Sequence, residues 1–317
     1  MELMQAQDLI KFVSKNLRKW MRPKSRSSGL LNIPVRSKIF FQPVGVVGII
    51  SPWNYPIDLT LSPLVYAVAT GNRVMIKPSE HTPKTSKLLQ TLVSKYFDIE
   101  HVAVCCGDIN VGIEFSKLPF DHLMFTGSTS TGKLVMAEAA RNLTPVTLEL
   151  GGKSPTIIGE EADIPSAARR ICFGKSINSG QTCIAPDHIY IPKNKVDEFV
   201  KEYKKSFKKM YPNGEKDQGY TCIINDFHIN RIQNLITDAK EKGAKIEEVV
   251  NWTSKKKIAP HFVFETTEEM EVSKTEIFGP LLPIITYSDI SEPINFINSN
   301  DKPLSLIHIS EPTRPER

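Results

Sequence analysis

Residues 1–20 carry apolar positions at Ile10, Phe12, Val13, Leu17 and Trp20 among charged neighbours, the pattern of an amphipathic helix. Residues 21–31 are basic, with Ser and Gly, and read as a connector, whereas 33–42 read as an extended segment. The Val- and Ile-rich run at 44–50 has the composition of a buried strand. Two prolines then bracket Trp53, Asn54 and Tyr55 in a turn at 51–56, and 59–70 form a helix that stops at Gly71. The alternation continues with strands at 73–76, 102–105, 122–125 and 145–149, separated by helices at 85–96, 109–116 and 132–142. Strands alternating with helices imply a parallel, doubly wound sheet with ligands at the strand ends. A second α/β unit starts near Gly151. It has helices at 164–173, 196–210 and 226–242 and strands at 188–191, 261–264 and 281–287.

Composition narrows the setting. The 317 residues suffice for about two domains, and the net charge of +5 does not by itself call for nucleic acid. Much of that charge lies between Lys11 and Arg26, where a solvated helix face competes with a patch for anionic lipid. An odd number of cysteines without a CxxC pair fits a reducing compartment. No secretory signal and no apolar run long enough to span a bilayer are seen, so the expected location is cytosolic or on the cytosolic side of a membrane.

Several residues have the setting that chemistry needs. Cys183 lies among Gly and polar residues in NSGQTCIAP, whereas a structural cysteine is usually a small buried hydrophobe. Glu149, in LELGGKSP, ends an apolar strand; burial there would raise its pKa toward that of a base, the alternative being a strand-end carboxylate bonded to backbone N–H groups. Asn54 sits in a rigid turn able to aim an amide at an oxyanion, or simply to bond its own backbone. The turn FTGSTSTG at 125–132 follows a strand and opens a helix, a place for phosphate. It also nearly matches a P-loop through Gly127, Gly132 and Lys133, but Leu134 stands where magnesium needs a hydroxyl. Lys77 and Glu80 follow a strand and either bond ribose hydroxyls or form a surface ion pair; Glu276 and Phe278 precede a Gly-Pro turn. The histidines have no metal-ligand spacing.

Six ordered segments together resemble the aldehyde dehydrogenase superfamily: PVGVVGIISPWNYP at 43–56, GNRVMIKPSE at 71–80, FTGSTSTG at 125–132, LELGGKSP at 148–155, GQTCIAPD at 180–187 and EIFGPLLPI at 276–284. The wording of the first two resembles the branch with class 3, fatty and coniferyl aldehyde dehydrogenases. The resemblance implies that Cys183 is the nucleophile, Glu149 the general base and Asn54 the oxyanion donor. It assigns Ser51, Trp53, Lys77, Glu80, Gly127, Ser128, Glu276 and Phe278 to the cofactor, with the last two on its nicotinamide half. The cofactor is expected to be NAD, with NADP also admitted, because Glu80 favours a free ribose 2′-hydroxyl. The resemblance further implies an aldehyde substrate and, for the full-length form, a homodimer.

On this reading residues 1–148 are a dinucleotide-binding domain without the family's first helices, with 33–43 as a bridging strand, and 149–304 are a catalytic thiol domain that is incomplete at its C-terminal side. From 305 to 317 the wording departs from the family, as a frameshifted or foreign tail would. The competing readings are a non-catalytic relative that binds cofactor or partner chains, and a P-loop nucleotide-binding protein.

Overall fold

A computed structural model describes residues 2–254 and 256–310; Met1 and residues 311–317 of the proposed tail lie outside them. Two compact units meet in sequence between Glu149 and Leu150.

The first unit opens with helix α1 (Glu2–Trp20), followed by a small antiparallel pair, β1 (Lys24–Arg26) and β2 (Ser37–Ile39). Half of that pair falls in the segment read as a connector. It is three exposed residues long, too short and too polar to leave an alternation in the sequence. The sheet proper follows: β3 (Val46–Ile50), α2 (Asp58–Ala69), β4 (Arg73–Lys77), α3 (Pro83–Tyr96), β5 (Val102–Val104), α4 (Ile109–Ser116), β6 (His122–Thr126), α5 (Thr129–Ala140) and β7 (Val146–Glu149). Its order is β5-β4-β3-β6-β7 and every pairing is parallel. The chain therefore moves outward from β3 on one side and resumes on the other with β6. The gap above β3 and β6 is the switch point at which such sheets take ligands.

Capping sets two of these helix starts. Asp108 accepts from the N–H groups of Asn110 and Val111 at the head of α4. Ser128 accepts from Thr131 N–H, so α5 begins at Thr129 and not at residue 132, where the glycine had placed it. Glycine is required in the middle of β3, because a Cβ on Gly48 would lie 2.7 Å from the Phe120 ring and 2.8 Å from Leu123. On the other face of β3, Ile49 joins Ile76, Val74 and Leu64 in a core cluster.

The second unit contains β8 (Pro155–Ile158), α6 (Ile164–Ser176), β9 (His188–Pro192), α7 (Val196–Met210), α8 (Asp226–Glu241), β10 (Lys245–Glu248), β11 (His261–Phe264), the short α9 (Glu271–Lys274), β12 (Leu281–Tyr287), α10 (Ser291–Ser299) and β13 (Ile307–Ile309). Sheet order is β10-β11-β12-β9-β8-β13, parallel except for β10 against β11. Helix α7 buries Phe199, Tyr203 and Phe207, spaced one turn apart, and turns its lysines outward. With Ile171, Ile189, Ile191 and Phe262 they fill one face of the sheet. Strand β8, four buried residues beginning at a proline, had no alternation to reveal it. Residues 307–309, inside the segment where the family wording fails, pair in parallel with β8.

Ile49 is 0% exposed in the central strand of the first unit. Ile49→Ala is expected to lower stability by roughly 2–5 kcal/mol in equilibrium urea unfolding, the range for a buried branched side chain cut to a methyl.

Candidate active site

In the first unit, strand register brings the predicted residues to one edge. Ile50 pairs with Lys77 and with Phe125, and Thr126 pairs with Glu149. Ser51, Lys77, Gly127 and Glu149 therefore stand at the carboxyl ends of β3, β4, β6 and β7. Ser51 N–H donates to Lys77 O at 3.1 Å and Thr60 donates to the Ser51 hydroxyl at 2.7 Å, which fixes the start of the turn holding half-buried Trp53 and Asn54. Gly127 N–H donates to Glu149 O at 3.0 Å, tying the glycine turn to the last residue of β7.

Lys77 is buried, 3% exposed, and donates to Glu80 at 2.8 Å and to Pro78 O at 3.0 Å. Burial would raise the Glu80 carboxyl; its bond with Lys77 prevails and holds it below the usual range. An exposed anionic carboxylate beside a buried ammonium suits ribose hydroxyls, and the first turn of α5 beside exposed Ser128 suits a diphosphate. This donor set fits a dinucleotide. It does not fit a P-loop, because Lys133 lies a full turn inside α5 and Leu134 is exposed.

Glu149 departs from expectation in one respect. Its side chain is exposed, not buried, because it is the last residue of an edge strand with a neighbour on one side only.

In the second unit three of the matched segments converge on the thiol loop. Asn178, Ser179 and Gly180 are all left-handed, at φ 50°, 54° and 73°. Two of the three carry a Cβ, so the loop is strained and must be held from outside. Buried Gln181 does so: its amide donates to Asn178 O at 2.9 Å and Cys222 O at 3.1 Å and accepts from Ile224 N–H at 3.0 Å. Half-buried Cys183 follows, its carbonyl accepting from the Ser154 hydroxyl at 3.4 Å. A Cβ on Gly180 would stand 2.4 Å from Gly279 O, and one on Gly151 would stand 2.2 Å from the Glu276 carboxylate. The missing side chains thus let the thiol loop meet the 276–280 backbone at Gly180 and let the Glu276 carboxylate lie against the 150–154 loop at Gly151.

A buried ionic cluster binds the three together. Asp187, 3% exposed, pairs with Lys153 and accepts from Ile277 N–H at 2.8 Å. Lys153 also donates to Val272 O at 2.8 Å and Thr275 O at 3.2 Å. Burial alone would push the Asp187 carboxyl up; Lys153, His188 and Lys175 outweigh it and hold the group well below the usual carboxylate range. Burial pulls the Lys175 ammonium down to about 8, against the nearby Asp187 charge. Burial pushes the Glu276 carboxyl up to about 7, although the Gly152 N–H bonded to it works the other way.

The profile of the aldehyde dehydrogenase family matches residues 1–311. The chain belongs to that family. It is 45% identical over 307 residues to a probable coniferyl aldehyde dehydrogenase of Pseudomonas aeruginosa, covering 97% of this chain and 64% of that protein. It is 42% identical over 305 residues to the dimeric NADP-preferring aldehyde dehydrogenase of Mus musculus, covering 94% and 65%. Among solved structures, the substrate-bound Staphylococcus aureus AldH superposes with a TM-score of 0.92 at 38% identity, over 97% of this chain and 67% of that one. A Mycobacterium tuberculosis aldehyde dehydrogenase complexed with NAD+ gives 0.85 at 28%, over 98% and 64%. The chain thus spans 63–64% of the length of the first curated relatives it matches.

Against the family pattern, Lys153 and Asp187 lie inside segments that carried the resemblance, yet their role as a buried tie was not read from them. Gln181 and Arg231 were also missed; Arg231 gave no signal, being one polar position in an amphipathic helix. A cavity of about 240 Å³ lined by His188, Tyr190, Ile285 and Phe296 among others includes none of the predicted site residues.

The raised Glu276 carboxyl has a measurable consequence. A group raised from 4.5 to about 7 contributes stability that is present in full below 4.5 and lost as pH rises through 7. Wild type should therefore lose up to about 3 kcal/mol relative to E276Q between those limits, at about 1.4 kcal/mol per unit. Parallel unfolding curves at pH 4.5 and 8 check it; the same difference at both would remove the buried carboxyl as the cause.

Proposed function

We propose that this protein oxidises an aldehyde to a carboxylic acid with NAD or NADP, through a covalent intermediate on Cys183. The observation that carries the reading is the half-buried thiol on a strained loop, packed against the Gly151 and Glu276 segments of the same unit. A thiol held at one point by a loop that cannot relax is suited to repeated attack on the same carbon.

In the proposed sequence the Cys183 thiolate forms a C–S bond to the aldehyde carbon, and the carbonyl π electrons pass to oxygen. Asn54 and the Cys183 N–H donate to that oxyanion. The bound nicotinamide supplies the hydride acceptor that the conversion to a thioester needs. Glu149 then takes a proton from water, whose oxygen adds to the thioester carbon; the C–S bond breaks and the thiolate is restored. Exposure of Glu149 keeps it in contact with the water it must deprotonate.

For the cofactor, Ser51, Trp53, Lys77, Glu80, Gly127 and Ser128 hold the adenosine and diphosphate side and Glu276 and Phe278 the nicotinamide side. The anionic Glu80, with Lys77 already engaged, favours NAD. The likeness to coniferyl and class 3 relatives supports aromatic and medium- or long-chain aliphatic aldehydes as substrates. A homodimer in the cytosol completes the proposal. Its supports are five free cysteines and the description of the mouse relative as dimeric. Among the described residues, no helix is long and apolar enough to cross a membrane.

C183A is expected to cut aldehyde-dependent NADH formation by roughly 10³-fold or more, while E149Q should yield one burst of NADH per thiol and then stall. Stopped-flow absorbance separates the two. A folded wild-type chain that binds NAD but yields no NADH with aromatic or aliphatic aldehydes would sink the catalytic reading in favour of a binding role.

A further inference from the structure

Arg231 lies in α8, half-buried, and its guanidinium donates to three consecutive main-chain carbonyls: Glu276 O at 3.2 Å, Ile277 O, and Phe278 O at 3.4 Å. Successive carbonyls of an extended chain point to opposite sides, so one group can collect three of them only where the backbone turns. It turns here: Phe278 is left-handed at φ 44°, a costly state for a bulky side chain unless its surroundings impose it. The same segment is also held by Asp187, which accepts from Ile277 N–H, and by Lys153, which donates to Thr275 O. Ile232, the next residue of α8, closes the end of the segment, since a Cβ on Gly279 would lie 2.7 Å from its side chain. Burial opposes the guanidinium charge, and the nearby Glu276 and Asp187 charges offset that penalty.

We propose that Arg231 is a positioning residue for the nicotinamide half of the cofactor. By fixing the carbonyls of residues 276–278 from the α8 side, it sets where the Glu276 carboxylate and the Phe278 ring stand. The inference rests on the cofactor reading above. A planar five-donor fork is what three carbonyls in a turn require; an ammonium has the charge but not the geometry.

Isothermal titration of the full chain with two ligands tests it. NAD+ has both halves, whereas ADP has the adenosine and diphosphate but neither the second ribose nor the nicotinamide. In R231K, NAD+ affinity is expected to fall about tenfold while ADP affinity stays within about twofold of wild type. A scaffold role would weaken both alike. If R231K does not fold, R231M, which keeps the packed stem and removes the buried charge, is expected to show the same split. Equal loss for both ligands, or no loss of NAD+ affinity in a folded variant, overturns the inference alone. A folded wild-type chain that binds neither ligand overturns the cofactor reading and the inference with it.

Discussion

The Asp187 carboxylate is the constraint on which the arrangement of the second unit depends. It sits at the start of β9, four residues after the thiol, and receives Lys153 from the glycine loop and the Ile277 N–H from the segment before β12. Three pieces of chain far apart in sequence are thereby referred to one pair of oxygens. A buried ion pair of this kind is weak evidence for stability, because desolvation cancels much of the attraction. Its value lies in geometry: removing either partner strands a charge, so the segments keep one arrangement.

The same logic explains why glycines occur where they do in that unit. Gly151 and Gly180 are places where another group, a carboxylate or a main-chain carbonyl, occupies the volume of a side chain. Close contact at these glycines sets the loops against one another at the edge of a core that includes Ile277 and Ile232. The first unit works differently. There the parallel register itself aligns Ser51, Lys77, Gly127 and Glu149 along one edge, and little beyond the strand pairings is needed to do so.

The two carboxylates assigned to the proposed site stand in different surroundings. Glu149 ends an edge strand and faces solvent, whereas Glu276 is pressed against Gly151 and pushed up to about 7 by burial. Glu276 is the one assigned to the cofactor, and Glu149 is the proposed base.

The alternation of apolar runs with helical segments was enough to read a doubly wound sheet, because β3, β4 and β6 each bury apolar side chains, among them Ile49, Val74, Ile76, Leu123 and Phe125. Cys183, Glu149, Asn54 and the cofactor residues became legible as candidates through six ordered segments and not through any single motif. The exposure of Glu149 was not legible, since two flanking leucines look the same in an edge strand as in a central one. Strand β8 was missed because four buried residues have no period to detect. The helix start at Thr129 depended on which side chain capped it. Arg231 and the tie through Asp187 are contacts between residues 34–90 positions apart, for which local pattern holds no information. The sequence by itself determined the elements, their order and the chemistry available; the tertiary structure decided which polar groups were buried together, because burial depends on what the rest of the chain brings alongside.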